Sequence, residues 1–165
     1  MARNIFRDFQ FFSQSLKNDI FEENKSIIGS EGEQLSFEYE KKIKRIDSPK
    51  LMSLRDSGLG YDIESKVSNN DSDKLFIEVK TSIEKLNEAK AYISRNELNV
   101  ARLKENYIFH FWSINDRKKP KLAIIKKNKI RIINEDIDMG SSKIETIYED
   151  FKTYESDFNT VNGLI

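Results

Sequence analysis

Three residues, Asp62, Glu78 and Lys80, have the types and spacing that could do chemistry. They sit in two short stretches, Gly60-Tyr61-Asp62-Ile63 and Phe76-Ile77-Glu78-Val79-Lys80. Period-two alternation puts Phe76, Glu78 and Lys80 on one face of a strand and Leu75, Ile77 and Val79 on the other, where they read as buried. The turn-prone run Ser68-Asn69-Asn70-Asp71-Ser72-Asp73 joins the two stretches into an expected hairpin. With the turn centred near Asn70, Asp62 falls almost opposite Glu78. Two carboxylates so close repel each other unless a proton or a cation sits between them. Magnesium resolves that repulsion with hard oxygen ligands, and Lys80 stands beside it. Phosphodiester hydrolysis needs these groups: a cation that acidifies water and draws charge from the phosphoryl oxygens, and an ammonium that orients the water or stabilises developing charge.

Composition narrows the alternatives. With 0 Cys there is no disulfide framework, thiolate metal site or cysteine nucleophile, and with 1 His no multi-histidine zinc site. Carboxylate-held magnesium or manganese is the remaining route to metal chemistry. The 165 residues fit one domain better than two, and a hydrophobic fraction of 38% supplies a core. Lys and Arg total 28 against 28 Asp and Glu, which excludes binding of nucleic acid by bulk charge. The charges are not evenly spread, however. Arg117, Lys118, Lys119, Lys121, Lys126, Lys127, Lys129 and Arg131 form a basic stretch without an acid, and acids dominate after it. Two adjacent turns would gather these cations into a patch for a phosphate backbone; an ordinary solvated hairpin rim has the same composition.

The elements that must position these residues follow from periodicity. Ile5, Phe6, Phe9, Phe12, Leu16 and Ile20 fall on one stripe of a helix over about Asn4 to Glu23, an added helix packed on the core or a surface for a partner. Ser30 and Glu33 match a capping box, predicting that a second helix begins near Ser30 and runs towards Lys44. Pro49 and the glycines before Tyr61 mark a connection. The hairpin follows, then a weak helix or loop over Glu84 to Lys90. Ser94 and Glu97 form another capping box, opening a helix to about Glu105. Tyr107 to Ile114 alternates as a strand, Leu122 to Ile125 and Ile130 to Ile133 as two more, and a last helix is expected over about Lys143 to Phe158. This order predicts an α/β or α+β fold around one mixed sheet. His110, Trp112 and Tyr107 read as packing residues in an aromatic strand.

Four blocks occur in order: Ile28-Gly29-Ser30-Glu31-Gly32-Glu33, Gly60-Tyr61-Asp62-Ile63-Glu64-Ser65, Phe76-Ile77-Glu78-Val79-Lys80-Thr81 and Ser94-Arg95-Asn96-Glu97-Leu98. An Asp followed by a strand with Glu-x-Lys resembles the PD-(D/E)xK nuclease superfamily. The four blocks together resemble the C-terminal domain family of the plant protein NO VEIN, found in bacterial restriction and defence proteins. The resemblance implies a restriction-endonuclease-like core over residues 28–165, with residues 1–27 as a helical extension. It implies that Asp62, Glu78 and the Val79 carbonyl bind magnesium and that Lys80 assists the attacking water. It also implies that Glu33 projects towards the metal, and that Asn96 or Glu97 lines the site. No Pro precedes Asp62, a departure from the superfamily's label.

A structural role alone also accounts for several of these residues. Capping explains Glu33 and Glu97, and a solvated strand face explains Glu78 and Lys80. The expected function is a magnesium- or manganese-dependent endonuclease acting on DNA in a restriction or defence setting. The alternative is a catalytically inactive module of the same fold that binds or senses nucleic acid. A homodimer or a larger defence complex is the expected assembly. No apolar run is long enough to cross a bilayer and the amino-terminal stretch lacks an apolar signal core, so a cytoplasmic location without membrane attachment is expected.

Overall fold

From Ala2 to Glu38 the chain meets no proline, and its two glycines are too few to break a helix whose other residues tolerate that conformation. A computed structural model accordingly shows one continuous helix, α1 (Ala2–Glu38). The structure describes residues 2–52, 58–130 and 147–164, and of residues 2–16 and 147 the backbone only. The helix start expected at Ser30 is therefore corrected: Ser30 lies inside α1, and the expected first and second helices are one. A capping box acts only where the preceding residue leaves helical geometry, and nothing before Ser30 forces that. The helix closes through a π turn, Tyr39–Ile43, and stops where Arg45 adopts a φ of 56°. Asn69, in the turn after the second strand, secures this ending by donating to the Arg45 carbonyl and accepting from the Asp47 amide at 3.1 Å.

Six strands form the main sheet: β1 (Lys50–Leu51), β2 (Ile63–Lys66), β3 (Lys74–Ser82), β5 (Tyr107–Ser113), β6 (Lys121–Lys126) and β8 (Asn159–Thr160), side by side in that order. All neighbours are antiparallel except β3 and β5, which run parallel. Parallel neighbours need a long crossover. It is made here by β4 (Lys90–Ile93) and α2 (Arg95–Leu103). A two-stranded ribbon pairs β4 with β7 (Ile147–Asp150). The mixed α/β class is thus as expected, with two corrections. Lys90–Ile93 is a strand rather than the end of a loop, because its short alternation of exposed and buried residues finds β7 as partner. From Ile147 the carboxy-terminal segment is strand, a 3₁₀ turn Phe151–Asp157 and strand, not a helix, because Phe151 and Tyr154 are drawn into the core. The remainder of that expected helix, most of the run Ile130 to Ile133, and Arg131 lie outside the described residues.

Both faces of the sheet are covered. Ile63, Ile77, Val79, Trp112 and Leu122 pack under α1 through Leu35. Phe76, Phe109, Phe111 and Ile125 pack on the other side against Leu98 and Ala101 of α2, Ile93 of β4 and Phe151. Alternation along β5 separates these sets as its sequence predicts, with His110 on the α1 side. His110 is a core residue: wholly buried, with Nδ1 3.1 Å from Ser36 Oγ, while Trp112 Nε1 donates to the same oxygen at 2.7 Å. Burial first, and the Lys44 charge second, push the His110 pKa down to about 3, so the ring is neutral near pH 7.

Gly32 sets how closely α1 approaches β3. A β-carbon there would lie 1.7 Å from Thr81 Oγ1 and 2.9 Å from Thr81 Cβ. Among the described residues no helix is long and apolar enough to cross a membrane.

Candidate catalytic and metal site

The hairpin register places the two expected metal ligands together. Ile63 pairs with Ile77 and Glu64 with Phe76, and Asp62, directly before these paired residues, lies close enough to Glu78 for its charge to raise the Glu78 pKa. The Asp62 amide donates to the Ile77 carbonyl at 2.9 Å, one residue out of the ladder's register, so the regular pairing ends at the edge of the site. Here β2 begins, and beyond this point β3 has no strand on its β2 side among the described residues. The Val79 amide, which would otherwise go unpaired, donates to Asp62 Oδ2 at 2.8 Å. In a strand the N–H and C=O of one residue point to the same side, so the Val79 carbonyl faces the same open edge. Asp62 and the Val79 carbonyl thus lie at this edge, with Glu78 beside them.

Lys80 closes the space from the α2 side. Its ammonium is 2.7 Å from Glu78 Oε1 and 2.9 Å from Glu97 Oε2. Glu97 is held by the capping box that opens α2: its carboxylate accepts from the Ser94 amide at 2.8 Å, and Ser94 Oγ accepts from the Glu97 amide at 3.3 Å. Capping and site membership were alternatives in the sequence; the structure gives Glu97 both. Asn96 instead anchors the preceding loop, donating to the Gly58 carbonyl at 3.0 Å. Glu33, on α1, lies near enough for its charge to raise the Asp62 pKa.

This cluster is poor in solvent and rich in negative charge. Burial raises the Asp62 carboxyl to about 6; the Val79 hydrogen bond and Lys80 oppose the rise, and Glu33 and Glu97 add to it. Burial likewise lifts Glu78 well above the usual carboxylate range, Lys80 opposing and Asp62 and Glu97 reinforcing. For Lys80 burial acts downward, but Glu78 and Glu97 outweigh it and the ammonium is held above its ordinary pKa. Perturbed groups gathered on one sheet edge make this place a candidate functional site.

Tyr107 belongs to this environment although its sequence pointed only to packing. Its hydroxyl donates to the Gly60 carbonyl at 2.7 Å, and its pKa is raised by burial and then by Glu78, Glu97 and Asp62. Gly60 has a φ of 70° and no room for a side chain against Val100. Tyr107 and Asn96 thus fix the loop that delivers Asp62. The sequence signal was the GLG turn directly before the carboxylate, which requires an anchor in the fold.

As a metal site the donors are two carboxylates and a carbonyl. Among the described residues no group of three or more His, Cys, Asp or Glu side chains is placed to hold a metal ion. Magnesium suits such a partial set, since it keeps several waters and commonly takes one or two carboxylates from the protein. The residues present fit that ion.

The described cations of the basic stretch are spread along and on either side of β6. Arg117, Lys118 and Lys119 precede β6, and Lys127 and Lys129 follow it, so six strand residues, roughly 17–20 Å of extended chain, separate the groups. Several of the cations are already engaged. Arg117 forks onto Glu31 at 2.8 and 3.0 Å, Lys129 pairs with Asp157 at 3.4 Å, and Lys127 donates to the Lys104 carbonyl. Lys118 and Lys119 are exposed, as is Lys126; Lys121 is half-buried at the start of β6.

A family model described as Protein NO VEIN, C-terminal, matches residues 32–125, which carry Glu33, the hairpin, α2 and β5. No curated protein and no solved structure matches this chain.

Proposed function

The chain belongs to the NO VEIN C-terminal family, and from that premise we propose that it is a metal-dependent endonuclease of the PD-(D/E)xK type, acting on DNA in a restriction or defence context. The observation that carries this reading is the meeting of Asp62 and Glu78 across the end of the β2–β3 ladder, with Lys80 on the same strand face. Asp62, Glu78 and the Val79 carbonyl would hold magnesium or manganese. When bound, such an ion supplies acidified water and charge withdrawal from a phosphoryl group. Asp62 is held in place by the Val79 amide, and ionises as the pH rises through about 6. Lys80 keeps its proton and offers an ammonium to the developing negative charge, while Glu97 sets where that ammonium sits. The cover of α2 and the β4–β7 ribbon lowers the local dielectric, which strengthens each of these interactions. The fold agrees with a restriction-endonuclease-like core: a mixed sheet, helices on both faces, and carboxylates at the end of a hairpin.

Incubation of supercoiled plasmid with the purified chain in magnesium or manganese should produce nicked and linear forms, and chelation should stop it. A non-catalytic binding module is the second reading, favoured by the fact that Lys80 is tied to two glutamates. Salt-dependent DNA binding with neither metal binding nor cutting would select it.

A further inference from the structure

Beyond Val79 the free edge of β3 does not face open water. It forms the floor of a groove of about 430 Å³, walled by α1 through Phe21 and Lys25 and by β4 through Lys90 and Tyr92, with Val79 and Lys80 at its base. The groove thus adjoins the candidate site through Val79 and Lys80, although Asp62 and Glu78 do not line it. Tyr92 on the β4 wall continues, outside the groove's own lining, into a second exposed tyrosine. Tyr92 and Tyr148 are cross-strand partners on the outer face of the β4–β7 ribbon, with ring centroids 6.2 Å apart, and they are 57% and 56% exposed. The Lys90 ammonium lies 4.9 Å from the Tyr148 ring centre. Lys25 projects from α1 on the opposite wall, its nearest acid being Glu22 at 3.9 Å, and Glu84 also lines the groove.

Flat aromatic faces beside cations, leading to a site for phosphoryl chemistry, match one ligand chemistry: bases that stack, joined by phosphates that need countercharge. In duplex DNA the base faces are occupied by their neighbours, so an exposed tyrosine face is met only by a base that has left the stack. We propose that this groove carries a single strand of nucleic acid to Asp62 and Glu78, with Tyr92 and Tyr148 as the stacking platform and Lys25 and Lys90 as phosphate contacts. The substrate is then single-stranded or locally unpaired at the site of cutting. This inference rests on the proposed nuclease reading for the purpose of the strand, but not for its binding.

Binding is therefore measured without metal, in EDTA, using the full chain and a fluorescein-labelled single-stranded oligodeoxynucleotide, with the matching duplex as competitor. The single strand should bind more tightly than the duplex. Tyr92→Ala should weaken it about tenfold or more, whereas Tyr92→Trp should retain it. A 2-aminopurine base in the oligonucleotide should be quenched by the wild-type chain and not by Tyr92→Ala. Lys25→Ala and Lys90→Ala, both at exposed positions, should each lower the salt slope by about 0.7. Unchanged affinity in the Tyr92→Ala, Tyr148→Ala double variant, or preference for the duplex, would overturn the groove assignment. Stacking and binding without any cutting in magnesium would uphold the groove and sink the nuclease; cutting that ignores Tyr92 would do the reverse.

Discussion

Replacing Gly32 by alanine puts a methyl group where Thr81 already stands. The new carbon would meet Thr81 Oγ1 at 1.7 Å, Cβ at 2.9 Å and Cγ2 at 3.1 Å. Rotation of the threonine can remove the hydroxyl but not the Cβ, so either α1 or β3 must shift. Overpacking of this kind costs roughly 1–3 kcal/mol, and the better helix propensity of alanine returns up to about 1 kcal/mol. The net expectation is a loss of about 1–2 kcal/mol. Gly29, one turn earlier on the same helix, supplies the control: a β-carbon there meets nothing within 4 Å, so Gly29→Ala should gain about 0.5–1 kcal/mol. Urea unfolding of the two variants should therefore move the midpoint in opposite directions. Adding Thr81→Ala to Gly32→Ala should recover part of the loss, but not all, because the Cβ contact remains. If Gly32→Ala stabilises as much as Gly29→Ala, the close packing of α1 on β3 is wrong, and with it the position of Glu33 beside the site.

Three further outcomes follow from the charges. The folded pKa of His110, about 3, lies below its ordinary 6.5, so the stability it contributes is complete above pH 6.5 and is lost as the pH falls towards 3; the urea midpoint should drop across that window more steeply in the wild type than in His110→Leu. Because the Asp62 proton competes with a cation, magnesium affinity measured by calorimetry should rise about tenfold between pH 5 and pH 7 from a pKa of about 6, and more steeply if Glu78 also loses its proton; a flat profile would deny Asp62 a role as ligand. Ser94→Ala should cost about 1 kcal/mol in thermal or urea unfolding, since it removes the hydroxyl that accepts from the Glu97 amide, and should leave cutting little changed, because the Ser94 amide that holds the Glu97 carboxylate remains.

How much was legible in the sequence depends on whether the signal was local. The capping box at Ser94 and Glu97 and the alternation of Tyr107 to Ser113 appear as read, because each is complete within one element. The hairpin that brings Asp62 near Glu78 was also legible, since one turn fixes a hairpin's register, although the paired residues begin only at Ile63. At Ser30 the same capping pattern misled, because the residues before it remain helical. β4 was missed because its four residues are stabilised by β7, more than fifty positions later, and no local pattern records that partner. The burial of the Glu78 and Lys80 face was hidden for a similar reason: α2 and β4, which cover it, come from the crossover. Glu97 comes to Lys80 through that covering layer, and Tyr107 reaches the Asp62 loop from β5 through the Gly60 carbonyl.

The central claim is that Asp62, Glu78 and Lys80 form one hydrolytic site. Its most direct test is single-turnover cleavage of DNA in magnesium by wild-type, Asp62→Ala, Glu78→Ala and Lys80→Ala chains, each verified as folded by circular dichroism. The wild type should cut and each variant should lose at least about a hundredfold in rate, which corresponds to roughly 2.7 kcal/mol of transition-state stabilisation. Cutting that survives both Asp62→Ala and Glu78→Ala would contradict the account.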